Sequence, residues 1–452
     1  MAPPAGRSPD SAMSSSRPLL ALLLLAGLAP VARAADPWTL DRALAAALRD
    51  NPDARLAAER AQGAEALVQQ ARAAWYPQLS LQGRYTQTNS PMLAFGSILN
   101  QRAFNFGLDF NHPGQIDNLN ATATVAYNLY GGGRPTAGLA AARSGVRAAA
   151  QDVRAAQNQL GAAVVKAYLD IRKSREAVAA LEAGVKAYNA AVAVARSRFD
   201  AGQMLKADLL NLEVQLAQTR EQLASARHGA ALAERAFNFV LGAENPAAPV
   251  ALAETDPALA GLTAPDSADF SARPELLGLQ ERVASAEAMH RAARGGRQPT
   301  VNAFASYQYD QGWELNSHGD SWLAGVAVDL NLFDGGQTAA KIRLSRSELA
   351  QAKEMLRKAT LGIGLEVEQA RLALADARER LAVTDQAVAQ AEESAGLSRA
   401  RFAKDLLLTA DLIGVESRLI ETRMRHAFAA ADEHIAVADY RRALGLPLLA
   451  HP

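Results

Sequence analysis

Cysteine is missing from all 452 residues of the chain. Its absence excludes disulfide frameworks, thiolate metal sites, cysteine nucleophiles and a lipid carried on an N-terminal cysteine. The chain also lacks an excess of positive or negative charge, because 47 Lys and Arg residues balance 47 Asp and Glu residues. This balance argues against a nucleic-acid or polyanion binder. Aromatic residues make up only 6 % of the chain. The chain is instead rich in alanine, a strong helix former that buries little area, so we expect many closely packed helices.

Catalytic and metal-binding motifs are also missing. The 7 histidines form no HExxH pair, and no Gly-x-Ser-x-Gly nucleophile elbow occurs. The glycines before Arg134 are not followed by the Gly-Lys-Ser/Thr of a phosphate-binding loop. The sequence therefore predicts neither an enzyme nor a cofactor site.

Long hydrophobic runs are scarce. Residues 19–28 follow Arg17 as an apolar run that is too short to span a bilayer as a helix. The small-x-small pattern that follows predicts a signal peptide over residues 1–34, cleaved between Ala34 and Ala35. An uncleaved anchor or a buried helix is the alternative, and translation from Met13 leaves the same signal. Since residue 35 is not cysteine, no lipoprotein anchor is expected on the exported chain.

The chain repeats itself at a constant offset of 203 residues. The offset pairs Arg198-Phe199 with Arg401-Phe402 and holds without a gap over residues 128–242. Such self-similarity indicates duplication of one structural unit. We assign the first repeat to 35–242, a linking segment to 243–272, the second repeat to 273–446 and a C-terminal tail to 447–452.

Each repeat begins with two stretches in which apolar and polar residues alternate. These four predicted strands centre on residues 79–85, 124–129, 301–307 and 326–332. Each strand is about ten residues long, which is the length that a tilted strand needs to cross a membrane. The connections over 89–120 and 310–322 are expected to be long loops. Four strands cannot close a barrel, so either the sheet is not in a membrane or several chains share one barrel.

Long helices follow the strands. No proline occurs in 136–245 or 337–446, and apolar residues recur at steps of three and four, which predicts coiled-coil packing. The first helix, over 134–199, would be roughly 100 Å long. Four glycines are predicted to form the strand-to-helix turns, namely Gly132, Gly133, Gly335 and Gly336.

Several motifs together resemble the TolC-type outer-membrane efflux proteins. They are Asn51-Pro52, the Tyr-Pro-Gln-Leu-Ser stretch at 76–80, the Leu-Phe-Asp-Gly-Gly stretch at 332–336 and the duplicated Arg-Phe…Ala-Asp-Leu turns. The resemblance covers residues 36–447. It implies an α+β membrane protein: a trimeric twelve-stranded transmembrane β-barrel, with four strands from each chain, continued by a long α-helical coiled-coil barrel in the periplasm. A small equatorial domain would comprise 243–272 and short helices over 39–74 and 274–294.

The resemblance also implies a function. The chain would be a passive exit duct of a tripartite efflux or type I secretion system in the outer membrane of a Gram-negative bacterium, extending into the periplasm. Its expected partners are two further copies of itself, outer-membrane lipid, a periplasmic adaptor (membrane fusion protein) and an inner-membrane pump. The alternative is a periplasmic or surface coiled-coil scaffold whose strands form a water-soluble sheet. A lipid-facing apolar band on the strands would distinguish the two.

The resemblance implies functional residues at the two helix turns. The residues expected to contact the adaptor are Ala201, Gly202, Gln203, Lys404, Asp405 and Leu406. Asp208 and Asp411 are expected to form a ring of carboxylates at the periplasmic aperture that attracts cations. Asp405 either adds to that ring or caps the helix that begins near residue 408, and N-capping is also the alternative for Asp208 and Asp411.

Two positions depart from the family pattern. Gly414 stands where some members have a second aspartate, so a double carboxylate ring is not carried over. Leu407 stands where some members have a basic residue that clasps the first turn. A tether from that position is therefore not expected in this chain.

Overall fold

The structure is a computed structural model that describes residues 37–109 and 111–448. The predicted signal peptide, its cleavage site between Ala34 and Ala35, and residues 449–452 of the tail lie outside the described residues. From Trp38 onward the described residues belong to one structural unit.

Two long helical hairpins repeat at the predicted offset. Their four helices are α4 (Arg134–Asp200), α5 (Lys206–Leu241), α8 (Gln337–Ala403) and α9 (Thr409–Ala443). Helices α4 and α8 each contain 67 residues, which corresponds to roughly 100 Å of helix. The first helices of the two hairpins therefore begin and end 203 residues apart, and the predicted rods are confirmed.

Glycine pairs make the entry to each long helix. Gly132 and Gly133 have φ values of 65° and 77°, and Gly335 and Gly336 have φ values of 64° and 87°. Only glycine adopts this left-handed backbone without strain. A Cβ atom on Gly132 would also lie 2.5 Å from the carbonyl oxygen of Gly295. The four glycines lie between the strands and the long helices, and Gly132 also allows close packing of the two repeats.

The four predicted strands form one antiparallel sheet. The strands are β1 (Gln78–Thr88), β2 (Ile116–Tyr130), β3 (Thr300–Gly312) and β4 (Ser317–Asp329), and they lie in the order β1-β2-β3-β4. Since β4 ends at Asp329, residues 330–332 of the fourth predicted strand lie outside the sheet. The β2–β3 pairing joins the two repeats. Within the described chain, β1 and β4 each have one unpaired edge.

The two connections differ from the long loops that the sequence predicted. The second connection contains only residues 313–316, because β3 and β4 continue to within four residues of each other. The expectation of a long loop over 310–322 is therefore wrong. The first connection is long, but it contains a helix, α3 (Pro91–Asn100), that the sequence analysis did not predict.

The sheet has one apolar and one mostly polar face. Residues opposite each other in neighbouring strands share a face, so the register assigns Leu81, Ala123, Tyr307 and Trp322 to the same side. Large exposed side chains of this apolar face are Leu79, Leu81, Tyr85, Val125, Tyr127, Tyr307, Tyr309, Trp322, Val326 and Val328. An exposed apolar surface of this extent marks a site of contact with lipid or protein.

The short segments pack around the middle of the long helices. They are α1 (Leu40–Asp50), α2 (Pro52–Ala73), α6 (Pro257–Ala260), α7 (Pro274–Arg294) and a 3₁₀ turn (Gly295–Arg297). Tyr168 and Phe237 are fully buried in this core, and Trp38 pairs through its backbone with Leu252. The predicted short helices are confirmed.

A partly buried ion network joins α8 to the ends of α7 and α9. The guanidinium of Arg273, whose side chain is only 6 % exposed, lies 2.5 Å from Oε2 of Glu366. Arg442 donates to the other oxygen of Glu366 at 2.8 Å. Burial alone would raise the pKa of Glu366, but the hydrogen bonds and charges of the two arginines outweigh it and lower that pKa.

Candidate functional site

The two helix turns have the same backbone conformation. In the first turn Gly202 has a φ of 74° and Gln203 donates its N–H to the carbonyl of Arg198. In the second turn Asp405 has a φ of 62° and Leu406 donates its N–H to the carbonyl of Arg401. These are left-handed helix C-terminal turns. The six residues expected to contact the adaptor all lie in these two turns, and all six are exposed.

Asp405 occupies the left-handed position that Gly202 has in the first repeat. Its carboxylate does not cap α9. It lies 3.1 Å from the guanidinium of Arg198, in the last turn of α4. Arg198 also donates to the carbonyl of Phe402 at 2.6 Å, and its guanidinium stacks over the Phe402 ring at 5.2 Å. We call these contacts of Arg198 with Asp405 and Phe402 the Arg198 clasp.

The Arg198 clasp joins the two hairpins in a way that the sequence did not predict. The family pattern places a basic residue at Leu407, in the second turn, but here the arginine comes from the first hairpin. Arg198 was visible in the duplicated Arg-Phe motif. Its partner was not, because the two residues are 207 positions apart in the sequence.

Leu407 has a packing role instead. It is partly buried against the apolar core of the two tips, and so is Met204, its equivalent in the first repeat. The absence of a basic side chain at Leu407 therefore reflects packing of both turns on one core.

Asp208 and Asp411 lie at equivalent positions, in the first turns of α5 and α9. The N-cap residues are Leu205 and Leu408, and neither helix has a side-chain cap. The N-cap interpretation of Asp208, Asp411 and Asp405 is therefore wrong. Carboxylates in a first helical turn are still favourable, because the helix N-terminus carries a partial positive charge.

Both aspartates remain available for another role. Asp411 is exposed and Asp208 is partly exposed. Within residues 37–109 and 111–448, neither carboxylate has an ion-pair partner. Their place near the turns agrees with the expected aperture, while the aperture role itself stays a prediction.

Exposed leucines surround the turns. Leu205 and Leu408 are each 72 % exposed, and Leu406 is 70 % exposed. The first two are equivalent in the repeats, so both tips present an apolar side chain just before the second helix of the hairpin. The sequence analysis did not single them out. Leucine recurring at offset 203 in a turn is the signal that could have found them.

A second contact between the hairpins lies above the turns. Tyr188 of α4 donates to the carbonyl of Ile413 at 3.1 Å and lies 2.9 Å from the hydroxyl of Ser417. Burial raises the pKa of Tyr188, so the phenol stays neutral and able to donate. Helices α4 and α9 pack closely at Gly184, where a Cβ atom would clash with Ile420.

The repeats differ in one ion pair near the tips. Arg196 and Glu213 form an exposed pair in the first hairpin, at 2.6 Å. Their equivalents Arg399 and Glu416 form a bidentate pair at 2.5 and 2.7 Å, and the Glu416 side chain is only 2 % exposed. Packing of the first hairpin on the second explains this burial.

These arrangements position and join helices. Among the described residues no group of three or more His, Asp or Glu side chains is placed to hold a metal ion. What the geometry supplies is a pair of exposed tips, two contacts that join them, and an apolar sheet face.

Comparison with known proteins agrees with this architecture. The family model described as "Outer membrane efflux protein" matches residues 43–243 and 270–446. The outer membrane efflux protein BepC of Brucella suis is 26 % identical over 298 residues, covering 63 % of this chain and 62 % of BepC. The match thus spans less than two thirds of that relative. Protein CyaE of Bordetella pertussis is 26 % identical over 412 residues, or 89 % of this chain and 83 % of CyaE.

A solved structure shows the same fold. The outer membrane protein VceC of Vibrio cholerae superposes with a TM-score of 0.76 at 19 % sequence identity, covering 90 % of this chain and 96 % of VceC. Its helical rods and strands therefore follow the same course as those described above. Because the family model covers both repeats and most of the chain, the chain belongs to the outer membrane efflux protein family.

Proposed function

We propose that three copies of this chain form the outer-membrane exit duct of a tripartite efflux or type I secretion system. Family membership places the chain in the outer membrane, with its helices in the periplasm. The duct conducts substrates passively. A periplasmic adaptor and an inner-membrane pump deliver them to its periplasmic end.

The sheet is the observation that carries this proposal. Its apolar face exposes large side chains such as Leu81, Trp322 and Val326, which are 80 %, 78 % and 63 % exposed. That face suits lipid. The unpaired edges of β1 and β4 are unfavourable in lipid, because each unpaired backbone group there costs several kcal/mol. Pairing β4 of one copy with β1 of the next removes both edges, and three copies give the twelve-stranded barrel.

The long helices also present unpartnered apolar side chains on different elements. One set lies on α8 and comprises Leu344, Met355, Leu365, Leu372 and Val383, all more than half exposed. Another lies on α5 and comprises Leu210, Val214, Leu232 and Phe239. When identical copies contact each other through two different surfaces, they form a ring if the rotation from each copy to the next closes on itself. A ring of three continues the barrel as a periplasmic tunnel of twelve long helices.

The domain boundaries follow from this assembly. Residues 35–242 and 273–446 would each supply one hairpin of strands and one of helices. Residues 243–272, which contain only the short helix α6 as regular structure, would form part of an equatorial collar. The exposed leucines around the turns suit an apolar contact with the adaptor. A water-soluble scaffold would leave the apolar sheet face in water, and no observation favours it.

Cysteine cross-linking tests the shared barrel. The chain has no cysteine, so every disulfide formed between copies on oxidation joins introduced cysteines. We expect Leu81→Cys on β1, combined in turn with cysteine at Ala324, Val326 or Val328 on β4, to give a covalent trimer on oxidation in outer membranes. As a control, cysteine at Tyr127, on the central strand β2, replaces Leu81. A species no larger than the monomer at every register would refute the assembly.

A second experiment tests the aperture. Asp208→Ala combined with Asp411→Ala should weaken block of the channel by divalent and trivalent cations in planar bilayers, because the ring of carboxylates is lost. Asp405→Ala, added separately, asks whether that carboxylate contributes to the same ring. Block that stays unchanged in the double variant would remove the aperture assignment while leaving the channel intact.

A further inference from the structure

Helix α3 lies across the polar face of the sheet, at the end remote from the long helices. Its buried residues Ala94 and Ile98 pack against Ile116 of β2. Ile116 alternates with Asn118 and Asn120 along β2, so all three side chains lie on the polar face. The helix belongs to the first repeat, but its C-terminal end reaches the strands of the second.

Two glycines form a slot for that end. Gly312 of β3 and Gly319 of β4 lie on the same polar face, because the register places them opposite Ser317 and Asp310. A Cβ atom on Gly312 would clash with the side chain of Gln101, and one on Gly319 would clash with the carbonyl of Asn100. Glycine inside a strand often marks such close approach of another backbone.

Buried hydrogen bonds hold the end of α3 in this slot. Gln101 is fully buried. Its amide donates to the carbonyl of Asp117 at 2.7 Å and to Oδ1 of Asn118 at 3.0 Å. The hydroxyl of Ser317 donates to the carbonyl of Gln101 at 2.6 Å. Both N–H groups of this amide are therefore used, while its Oε1 has no hydrogen-bond partner among the described residues. Losing either acceptor would leave a buried donor unsatisfied, so these bonds fix the segment.

A carboxylate on the same face extends this network. Asp310 is 1 % exposed and accepts from Asn118 at 2.6 Å and from Asn120 at 2.9 Å. The two asparagines and the aspartate connect β2 and β3 directly beneath the end of α3. These hydrogen bonds fix the surface of the sheet on which the end of α3 packs.

Arg102 completes the attachment at the rim. It has a φ of 57°, and its guanidinium bonds the carbonyl and the carboxylate of Asp320 at 3.1 and 2.8 Å. Asp320 lies on β4, whose outer edge is unpaired in this chain. Arg102 thus ties the segment that follows α3 to the edge strand of the sheet.

The opposite side of α3 is apolar and exposed. Met92 is 80 % exposed and Leu99 is 46 % exposed, and helical geometry places both away from Ala94 and Ile98. If the apolar sheet face contacts lipid, the polar face and α3 lie inside the barrel. Met92 and Leu99 then point toward the barrel axis.

We propose that α3 is a cap inside the outer mouth of the duct and that Met92 and Leu99 of three copies line an apolar constriction there. The proposal rests on the proposed function. Twelve strands about 4.8 Å apart and tilted by about 40° give a barrel roughly 24 Å across between backbones. A helix about 10 Å wide lying on the wall spans most of the roughly 12 Å between the strand backbones and the barrel axis. The three caps therefore fill most of the opening and restrict which substrates leave.

Single-cysteine labelling tests the cap. Met92→Cys is reconstituted in planar bilayers and treated from the outer side with a maleimide-linked polyethylene glycol. We expect single-channel conductance to fall by at least about twofold, because the polymer enters a narrow passage. The matched control is His318→Cys, next to Gly319 on β4 but on the opposite face of the sheet. Its modification should leave conductance unchanged. A gel shift confirms that both variants are labelled.

A second variant displaces the cap. Gly312→Val places a side chain where Gln101 packs against the strand. Because this displaces the end of α3, we expect the unlabelled channel to have a higher conductance than wild type. Labelled Met92→Cys with unchanged conductance, or an equal fall in labelled His318→Cys, would overturn the cap. A wild-type chain that forms no channel at all would refute the proposed function itself, so the two failures are distinguishable.

Discussion

In the proposed duct, replacing Arg198 by methionine should break the contact between the two helix turns and favour an open periplasmic end. Methionine keeps much of the apolar stem that packs near Phe402 but removes the charge and every hydrogen bond of the Arg198 clasp. Since the clasp joins the first hairpin to the second within one chain, its loss lets the second hairpin move relative to the first.

The magnitude follows from the burial of each contact. The Arg198 side chain is only 12 % exposed, so its charged hydrogen bond to the Phe402 carbonyl should contribute about 1.5–3 kcal/mol. Stacking on the ring adds about 0.5–1 kcal/mol. The Asp405 side chain is 73 % exposed, so the ion pair contributes at most about 1 kcal/mol. A loss of about 2 kcal/mol shifts the equilibrium between joined and separated turns by roughly thirtyfold in each chain.

The assay is single-channel conductance and open probability in planar bilayers. Arg198→Met should raise both. The matched control is Arg401→Met, which changes the equivalent, exposed arginine of the second repeat. Asp405→Gly should behave almost as wild type, because it loses only the exposed ion pair and restores the residue of the first turn. Equal behaviour of Arg198→Met and Arg401→Met would refute the reasoning.

Three further predictions concern stability, measured as the melting temperature of the purified protein in detergent. Arg399→Met should lower the stability of the fold by about 3 kcal/mol, because it leaves the buried carboxylate of Glu416 unpaired. The equivalent Arg196→Met should cost at most about 1 kcal/mol, because its ion pair is exposed. Equal losses would contradict the difference in burial. Glu366→Gln should have a lower melting temperature than wild type at neutral pH. Because the pKa of Glu366 is lowered in the folded protein, its ionised form stabilises the fold, and the difference in melting temperature should vanish as the pH falls below the ordinary glutamate pKa of 4.5. A difference that persists in acid would count against this. Gly184→Ala should cost about 1–3 kcal/mol at the close helix crossing, whereas Gly138→Ala, with no atom within 4 Å of the added Cβ, should stabilise by up to about 1 kcal/mol; the reverse order would rule out the crossing.

Most of the architecture was predictable because the information is local or repeated. The period of two in the strands and the steps of three and four in the helices are set by backbone geometry. The offset of 203 residues then carried each assignment from one repeat to the other. The ends of α4 and α8 fall on equivalent residues for this reason.

The details of the site were harder because they depend on contacts between distant residues. An aspartate two residues inside a helix and one that caps it look alike in sequence, so Asp208 and Asp411 were open to both interpretations. The conformation of Asp405 follows from the turn it shares with Gly202, yet its partner Arg198 comes from the other repeat. Helix α3 was missed since its ten residues include a glycine and few polar positions, and its stability comes from the slot on the sheet.

The pairing of β2 with β3 has a consequence for how the chain is made. Val125 pairs with Ala305, which follows 180 residues later, whereas each of the two strand hairpins closes over a much shorter segment. Contacts this far apart form slowly, because a long stretch of chain must be ordered before they are gained. The sheet therefore stays as two separate ribbons until most of the chain has been translocated. In the proposed barrel, this timing would keep the first ribbon, which is too narrow to bury its backbone in lipid, from inserting before the other strands are available.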